Sequence, residues 1–394
     1  MKPMENAKTA VAPVKQHIPC LDGIRGGLAL WVFWGHLANV VGFRLPLVEN
    51  LALAVDLFML LSGFIMAWQW EISLQRPQQR PFGDQVSGFW LRRFFRISPL
   101  YYMLFFVSML VTPTWSEAKL RLMSSFHPNE AATSYGMPLT TLSNVGAHLT
   151  YIFGLIPRYA SNNALPDWSL SLEMQFYVAL PFLMVLCRPS RVLLLSLSSV
   201  AMYIAAGHLF TTQDLVGGSA IRFPHPSLLP LKIHIFAAGM ALGWLAANKS
   251  NAKRRIVFWI AFLVPLIFVP HPVAVAALGI SALILSPQRP IRAWANFLGK
   301  PPFRMSGDLS YCVYLVHPIP SYLILDLLSR CSFFRDLPSF GRFAAAILVL
   351  TPIVYALAYL AHRLVEKPGI DWGKRISDSW NPVRQVPPAS RAVV

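Results

Sequence analysis

The chain alternates long apolar runs with short polar, mostly basic stretches. Runs able to cross about 30 Å of hydrocarbon fall near 22–42, 51–70, 97–113, 168–187, 192–210, 228–247, 256–270, 272–286, 305–327 and 342–363. They predict an all-α polytopic membrane protein of about ten transmembrane helices, with 256–270 and 272–286 short for a span. Residues 142–157, "LSNVGAHLTYIFGLIP", are apolar but also short, and a span there would reverse the side of Arg188 and Arg191. We read them as re-entrant or interfacial. The stretch 114–167 is then the largest outer loop, of a size that is often functional.

Composition agrees with the pattern. Of 394 residues, 55% are hydrophobic and 13% charged, about half the charged share of a soluble domain, and the mean hydropathy is +0.50. The net charge of +17 could suggest nucleic acid, but no basic patch is interleaved with exposed aromatics on a soluble segment, so nucleic-acid binding is not expected. Basic residues instead flank the spans. With the N-terminus inside, 25 of the 34 Lys and Arg fall on inner segments and 8 on outer loops, and this bias predicts that both termini are cytoplasmic. The N-terminal stretch is polar and the first apolar run has no small-residue cleavage site behind it, so a retained first span and no signal peptide are expected.

The organisation expected is a cytoplasmic N-terminal tail (1–17), one membrane domain (18–370) and a disordered, proline-bearing cytoplasmic tail (371–394), without repeats or a second soluble domain. Cys20, Cys187, Cys312 and Cys331 show no CxxC or metal spacing, so they read as structural thiols and no metal is expected. No phosphate loop, GxSxG elbow or HExxH occurs, which leaves hydrolase, kinase and metalloenzyme chemistry without a motif.

Charge inside the first run is the main chemical signal. In "LDGIRGGLALWVFWGH" (21–36), Arg25 and His36 are eleven residues apart. On a helix they lie about 20° apart in phase and roughly 16 Å apart along the axis. Asp22 falls within about 60° of Arg25, so the three make one polar stripe. Arg25 and Asp22 are also compatible with an ion pair at the inner boundary. His36 lies three turns deeper, where an imidazole needs a partner or a task, and general-base work suits it. A cation at the inner mouth and a base above it suit a long anionic donor such as an acyl-CoA.

That stretch resembles the opening motif of the acyltransferase-3 family of membrane O-acyltransferases, an Arg followed by ten residues and a His. "DLFMLLSGFIM" (56–66), "FWLRRFFRISPLYY" (89–102), "DWSLSLEMQFYVALPF" (167–182), "GDLSYCVYLVHPI" (307–319) and "HRLVEKP" (362–368) are similar to its later motifs in the same order. Met174, where a second acidic or polar residue is common, and Gly27, where bulkier residues are usual, depart from the pattern. The resemblance implies O-acyl transfer, most often of acetyl, from cytoplasmic acetyl-CoA to a carbohydrate hydroxyl. The acceptor would be an exopolysaccharide, a lipopolysaccharide O-antigen or a signalling oligosaccharide, and the place the bacterial inner membrane. Arg25 with Arg92, Arg93 and Arg96 would hold the CoA phosphates, although the last three also read as ordinary inner-boundary anchors. His36 would be the base or a transient acyl carrier. Glu173 would share a cavity with it, orienting His36 or binding acceptor hydroxyls, unless it is simply a locally satisfied carboxylate.

Asp56, Ser62, Trp168, Ser171, Tyr311 and His317 complete the substrate-binding candidates. Gly63 reads as a packing residue and His317, before Pro318, as a capping or packing residue as readily as a ligand. Lys232 and His234 could mark an anionic substrate route or snorkel. "LVEKPG" (364–369) reads as a helix stop with a local Glu–Lys pair. Loops 114–167 and 211–227 would present the acceptor. Two rival functions remain at this level: a glycolipid transporter or flippase that forms no bond, and a succinyl or longer-chain acyltransferase acting on a small acceptor. Sequence does not give the oligomeric state.

Overall fold

The computed structural model describes residues 17–74, 81–127, 141–160, 163–186, 189–211, 221–248 and 252–380. The N-terminal tail up to residue 16, Cys187, residues 128–140 of the large outer loop, residues 212–220 and the tail beyond 380 lie outside the described residues.

The described chain is almost wholly helical: α1 (Pro19–Val40), α2 (Leu51–Leu74), α3 (Phe82–Phe126), α4 (Leu142–Leu149), α5 (Trp168–Leu186), α6 (Val192–Leu209), α7 (Leu229–Ala247), α8 (Ala252–Leu266), α9 (His271–Leu285), α10 (Arg289–Leu298), α11 (Pro301–Asp308), α12 (Ser310–Val316), α13 (Pro318–Ser329), α14 (Ser332–Asp336), α15 (Ser339–Ala361) and α16 (Lys367–Trp380). Proline opens several of them, as at Pro19, Pro230, Pro272 and Pro318, where its missing N–H leaves no bond unmade. Two residues at Phe210–Thr211 pair in parallel with Ile221–Arg222.

Among the described residues, six helices are long and apolar enough to cross a membrane: α2, α3, α5, α6, α7, and α15 continuing into α16. Two bent pairs raise this to eight if each is one span: α9 with α10, bent by 98°, and α12 with α13, bent by 50°. The ten expected spans therefore compare with six to eight. The polar-striped α1 and the short α8 stand outside that count, and 305–327 is not one straight helix. Residues 142–157 form the eight-residue α4 and a 3-10 turn, Ile152–Leu155; at about 12 Å, α4 is too short to cross.

Close backbone packing fixes the core. α7 is buried along most of its length and lies against α2. A Cβ at Gly63 would stand 2.2 Å from the Phe236 carbonyl oxygen, and one at Gly239 would stand 2.0 Å from that of Leu60. Small residues on both helices let the two backbones touch, as membrane helices require. Asp56 and Lys232 bridge the same pair at 2.7 Å. α1 packs equally closely on α11, where a Cβ at Gly307 would meet the Asp22 carbonyl oxygen at 2.2 Å. Gly27, by contrast, faces open space.

Two expectations at the C-terminal end are corrected. Pro368 does not stop the chain's helix: a π-helical turn, His362–Glu366, leads into α16, so residues 371–380 are helix instead of disordered tail. α16 packs on α3 with Gly369 over the Phe95 carbonyl, an oxygen that Pro99, lacking an N–H, leaves without its helical bond. Glu366 pairs with His362 at 2.7 Å and not with Lys367, which faces outward.

Candidate active site

α1, α2, α3, α5 and α12 enclose a cavity of about 270 Å³. Three guanidinium groups reach its wall: Arg25 from α1, and Arg93 and Arg96 from α3. Three residues apart on a helix, 93 and 96 share a face. Arg93 donates to Gln69 Oε1 at 3.2 Å and rests on the rings of Phe89 and Tyr177 at 5.6 and 5.7 Å. Arg92 faces elsewhere. Its guanidinium donates to Ser377 Oγ of α16 at 2.6 Å, so helix phase removes it from the predicted group. Asp22 also lines the cavity but pairs with His17 at 2.8 Å.

Glu173, from α5, faces these cations. Its carboxylate accepts from Ser62 Oγ at 3.3 Å and from the Tyr177 hydroxyl one turn along the same helix. Arg25 feels Arg96 and Glu173 as its principal neighbouring charges. Tyr311 lines the same wall, its hydroxyl donating to the Ile97 carbonyl at 2.7 Å. Among the described residues, the adjoining Ser310 hydroxyl and Arg93 Nε are buried without a hydrogen-bond partner, an arrangement that favours a polar occupant.

His36 is not on that wall, and Glu173 does not orient it. Its partner is His317, at the bend between α12 and α13: His36 Nδ1 lies 3.0 Å from His317 Nε2, with ring centroids 5.0 Å apart. His317 is fully buried. Its Nδ1 lies 3.0 Å from the Val313 carbonyl, which only accepts, so that nitrogen carries the proton and Nε2 carries the lone pair. His36 Nδ1, facing that lone pair and the Val32 carbonyl at 3.1 Å, must then be the protonated nitrogen. The network assigns the lone pair of neutral His36 to Nε2. Tyr314 joins the two regions, lining the cavity with its ring edge-on to His317 at 6.4 Å. Sequence weighed His317 as a cap; its contact with His36 links residues 281 positions apart and leaves no local signal.

The remaining candidates separate from this centre. Asp56 is taken by Lys232. Trp168 stacks on His225 at 5.4 Å. Ser171 is fully buried and clamps the 3-10 turn, donating to the Tyr151 carbonyl at 2.6 Å and accepting from Gly154 N–H at 3.2 Å. His234 packs against Tyr203 at 4.0 Å. A cluster that sequence reasoning missed surrounds Asp167, just before α5. The carboxylate accepts from Tyr101 at 2.8 Å and from Asn163 at 2.6 Å, and His148 lies 3.6 Å away, stacked between Phe105 and Phe153. Burial pushes the Asp167 carboxyl up, against the lowering pull of His148. The only signal for it was the Asp opening "DWSLSLE".

Residues 18–359 match a family described as an acyltransferase domain. The chain is 28% identical, over 90% of its length, to BcsY of Komagataeibacter xylinus, a candidate membrane-bound transacylase, and covers 83% of that protein. It is 30% identical to the acyltransferase MdmB of Streptomyces mycarofaciens over 42% of its length, covering 38% of that protein. It is 24% identical over 90% of its length to the peptidoglycan O-acetyltransferase OatA of Listeria monocytogenes, of which it spans 56%. No solved structure matches the chain.

Proposed function

The chain belongs to the acyltransferase family, and from that premise we propose that it transfers an acetyl group from cytoplasmic acetyl-CoA to a carbohydrate hydroxyl across the bacterial inner membrane. One observation carries the reading. A cavity walled by Arg25, Arg93 and Arg96 shares helix α1 with His36, whose Nδ1 faces both the Val32 carbonyl and His317, leaving the lone pair on Nε2.

Guanidinium forks suit the phosphates of CoA, and about 16 Å of helix separates Arg25 from His36, room for the pantetheine arm. His36 Nε2 takes the proton of the acceptor hydroxyl as its oxygen attacks the thioester carbonyl. The imidazolium so formed donates from Nδ1 to His317, which stabilises the charge. When the tetrahedral intermediate collapses, the carbon–sulfur bond breaks, the acyl–oxygen bond remains, and the proton passes from His36 to the departing CoA sulfur. His317 is thus a positioning residue. Ser62, Glu173 and Tyr177 give the cavity acceptors and donors that orient the donor's polar arm, while the Trp168–His225 stack offers a flat aromatic face suited to a sugar ring. OatA is named for peptidoglycan O-acetylation, which supports a glycan acceptor.

The test is release of free CoA thiol by the purified chain in vesicles with acetyl-CoA and a glycan, together with mass spectrometry of the glycan. Thiol release matched by acetylated glycan supports the reading. Glycan movement across the bilayer without thiol release overturns it in favour of a flippase.

A further inference from the structure

Cys312 of α12 and the π-helical turn after α15 bring together three side chains that acyl transfer leaves unused. Cys312 Sγ lies 3.0 Å from Glu366 Oε2 and His362 Nδ1 lies 2.7 Å from the same oxygen. The three donor atoms all fall within 4.8 Å of one another. Cys312 is 0% exposed and Glu366 1%, whereas the His362 side chain is 24% exposed. π-Helical turns are rare and concentrate at functional positions.

Hydrogen bonding alone is a poor account of this cluster. A carboxylate buried so deeply ordinarily holds a cation or several strong donors. Among the described residues Glu366 has only a thiol, a weak donor, and one imidazole. We propose that Cys312, His362 and Glu366 bind a zinc ion. One sulfur, one nitrogen and one oxygen are donors that zinc accepts together. On binding, the thiol proton leaves to solvent and Cys312 ligates as thiolate. Thiolate and carboxylate then neutralise the ion, which suits a buried position within the field of Arg96. Zinc–ligand bonds of about 2.0–2.3 Å hold tetrahedral donors about 3.3–3.8 Å apart, so the two short contacts need open by less than about 1 Å. The exposed edge of His362 leaves room for a water as fourth ligand. The ion would brace α12, which carries Ser310 and Tyr311 of the cavity wall and leads to His317, against the segment joining α15 to α16.

Elemental analysis of the purified full chain after loading with zinc and desalting tests the site without any activity measurement. One zinc per chain is expected in the wild type and in Cys331→Ser, which removes an exposed cysteine. Cys312→Ser and Glu366→Gln should hold substoichiometric zinc. Wild-type chain loaded with cobalt(II) should show a thiolate-to-cobalt charge-transfer band that Cys312→Ser lacks. Wild-type protein without bound zinc or that band overturns the proposal, as does Cys312→Ser retaining one zinc. The wild-type spectrum decides even if a variant fails to fold.

Discussion

Replacing His317 by alanine removes the acceptor 3.0 Å from His36 Nδ1 and leaves the Val32 carbonyl at 3.1 Å. The tautomer of His36 therefore survives, and what is lost is one hydrogen bond to a ring that becomes charged in the transition state. Such a bond contributes about 1.5–3 kcal/mol, so kcat should fall roughly 10- to 150-fold at about 1.4 kcal/mol per decade. A change of tautomer would instead cost about 10⁴-fold. Because Arg25, Arg93 and Arg96 line a separate wall, KM for acetyl-CoA should stay within about 3-fold, the ordinary scatter of a mutation that leaves the donor's contacts intact. The substitution also empties a fully buried site against Phe33, costing about 2–4 kcal/mol of stability. His317→Gln separates the two effects, since its Oε1 can still accept from His36 and should recover most of kcat. CoA-thiol release at saturating glycan measures both constants. An alanine variant with wild-type kcat refutes the reasoning, as does a glutamine variant as slow as alanine with a raised KM.

Arg93→Ala and Arg25→Ala should each raise KM for acetyl-CoA by roughly 10-fold or more, one charge-assisted contact of about 1.5–3 kcal/mol. Arg92→Ala, whose guanidinium serves Ser377, should leave KM within about 2-fold; equal effects at 92 and 93 would contradict the cavity assignment. Asp56→Ala leaves Lys232 unpaired between α2 and α7 and should lower thermal stability by up to about 3 kcal/mol, discounted for the partial exposure of Lys232. Asp56→Ala with Lys232→Met should restore most of it in the same unfolding assay, and a single variant as stable as wild type would show the pair to be neutral.

Spans whose apolar run coincides with the helix were legible in the sequence: α2, α5, α6, α7 and α15 each lie within a few residues of the expected stretch. α3 was not, because the arginines at 92, 93 and 96 end the hydropathy signal while the backbone stays helical for 45 residues. The run at 305–327 hid its bend, since apolar composition says nothing of direction and only Pro318 marked the break. The Arg25–His36 stripe was legible because helix phase is local. The His36–His317 contact and the Cys312–His362–Glu366 cluster were not, because both join elements distant in sequence. Among Arg92, Arg93 and Arg96, phase could have set Arg92 apart only once the position of α16 was known.

The most direct test of the central claim is the rate of acetyl transfer by His36→Ala at saturating acetyl-CoA, beside its affinity for acetyl-CoA. Loss of a general base should slow transfer by about 10²–10⁴-fold while donor binding at the arginine wall stays unchanged. Transfer at the normal rate, or a slow variant that no longer binds acetyl-CoA, would contradict the role assigned to His36.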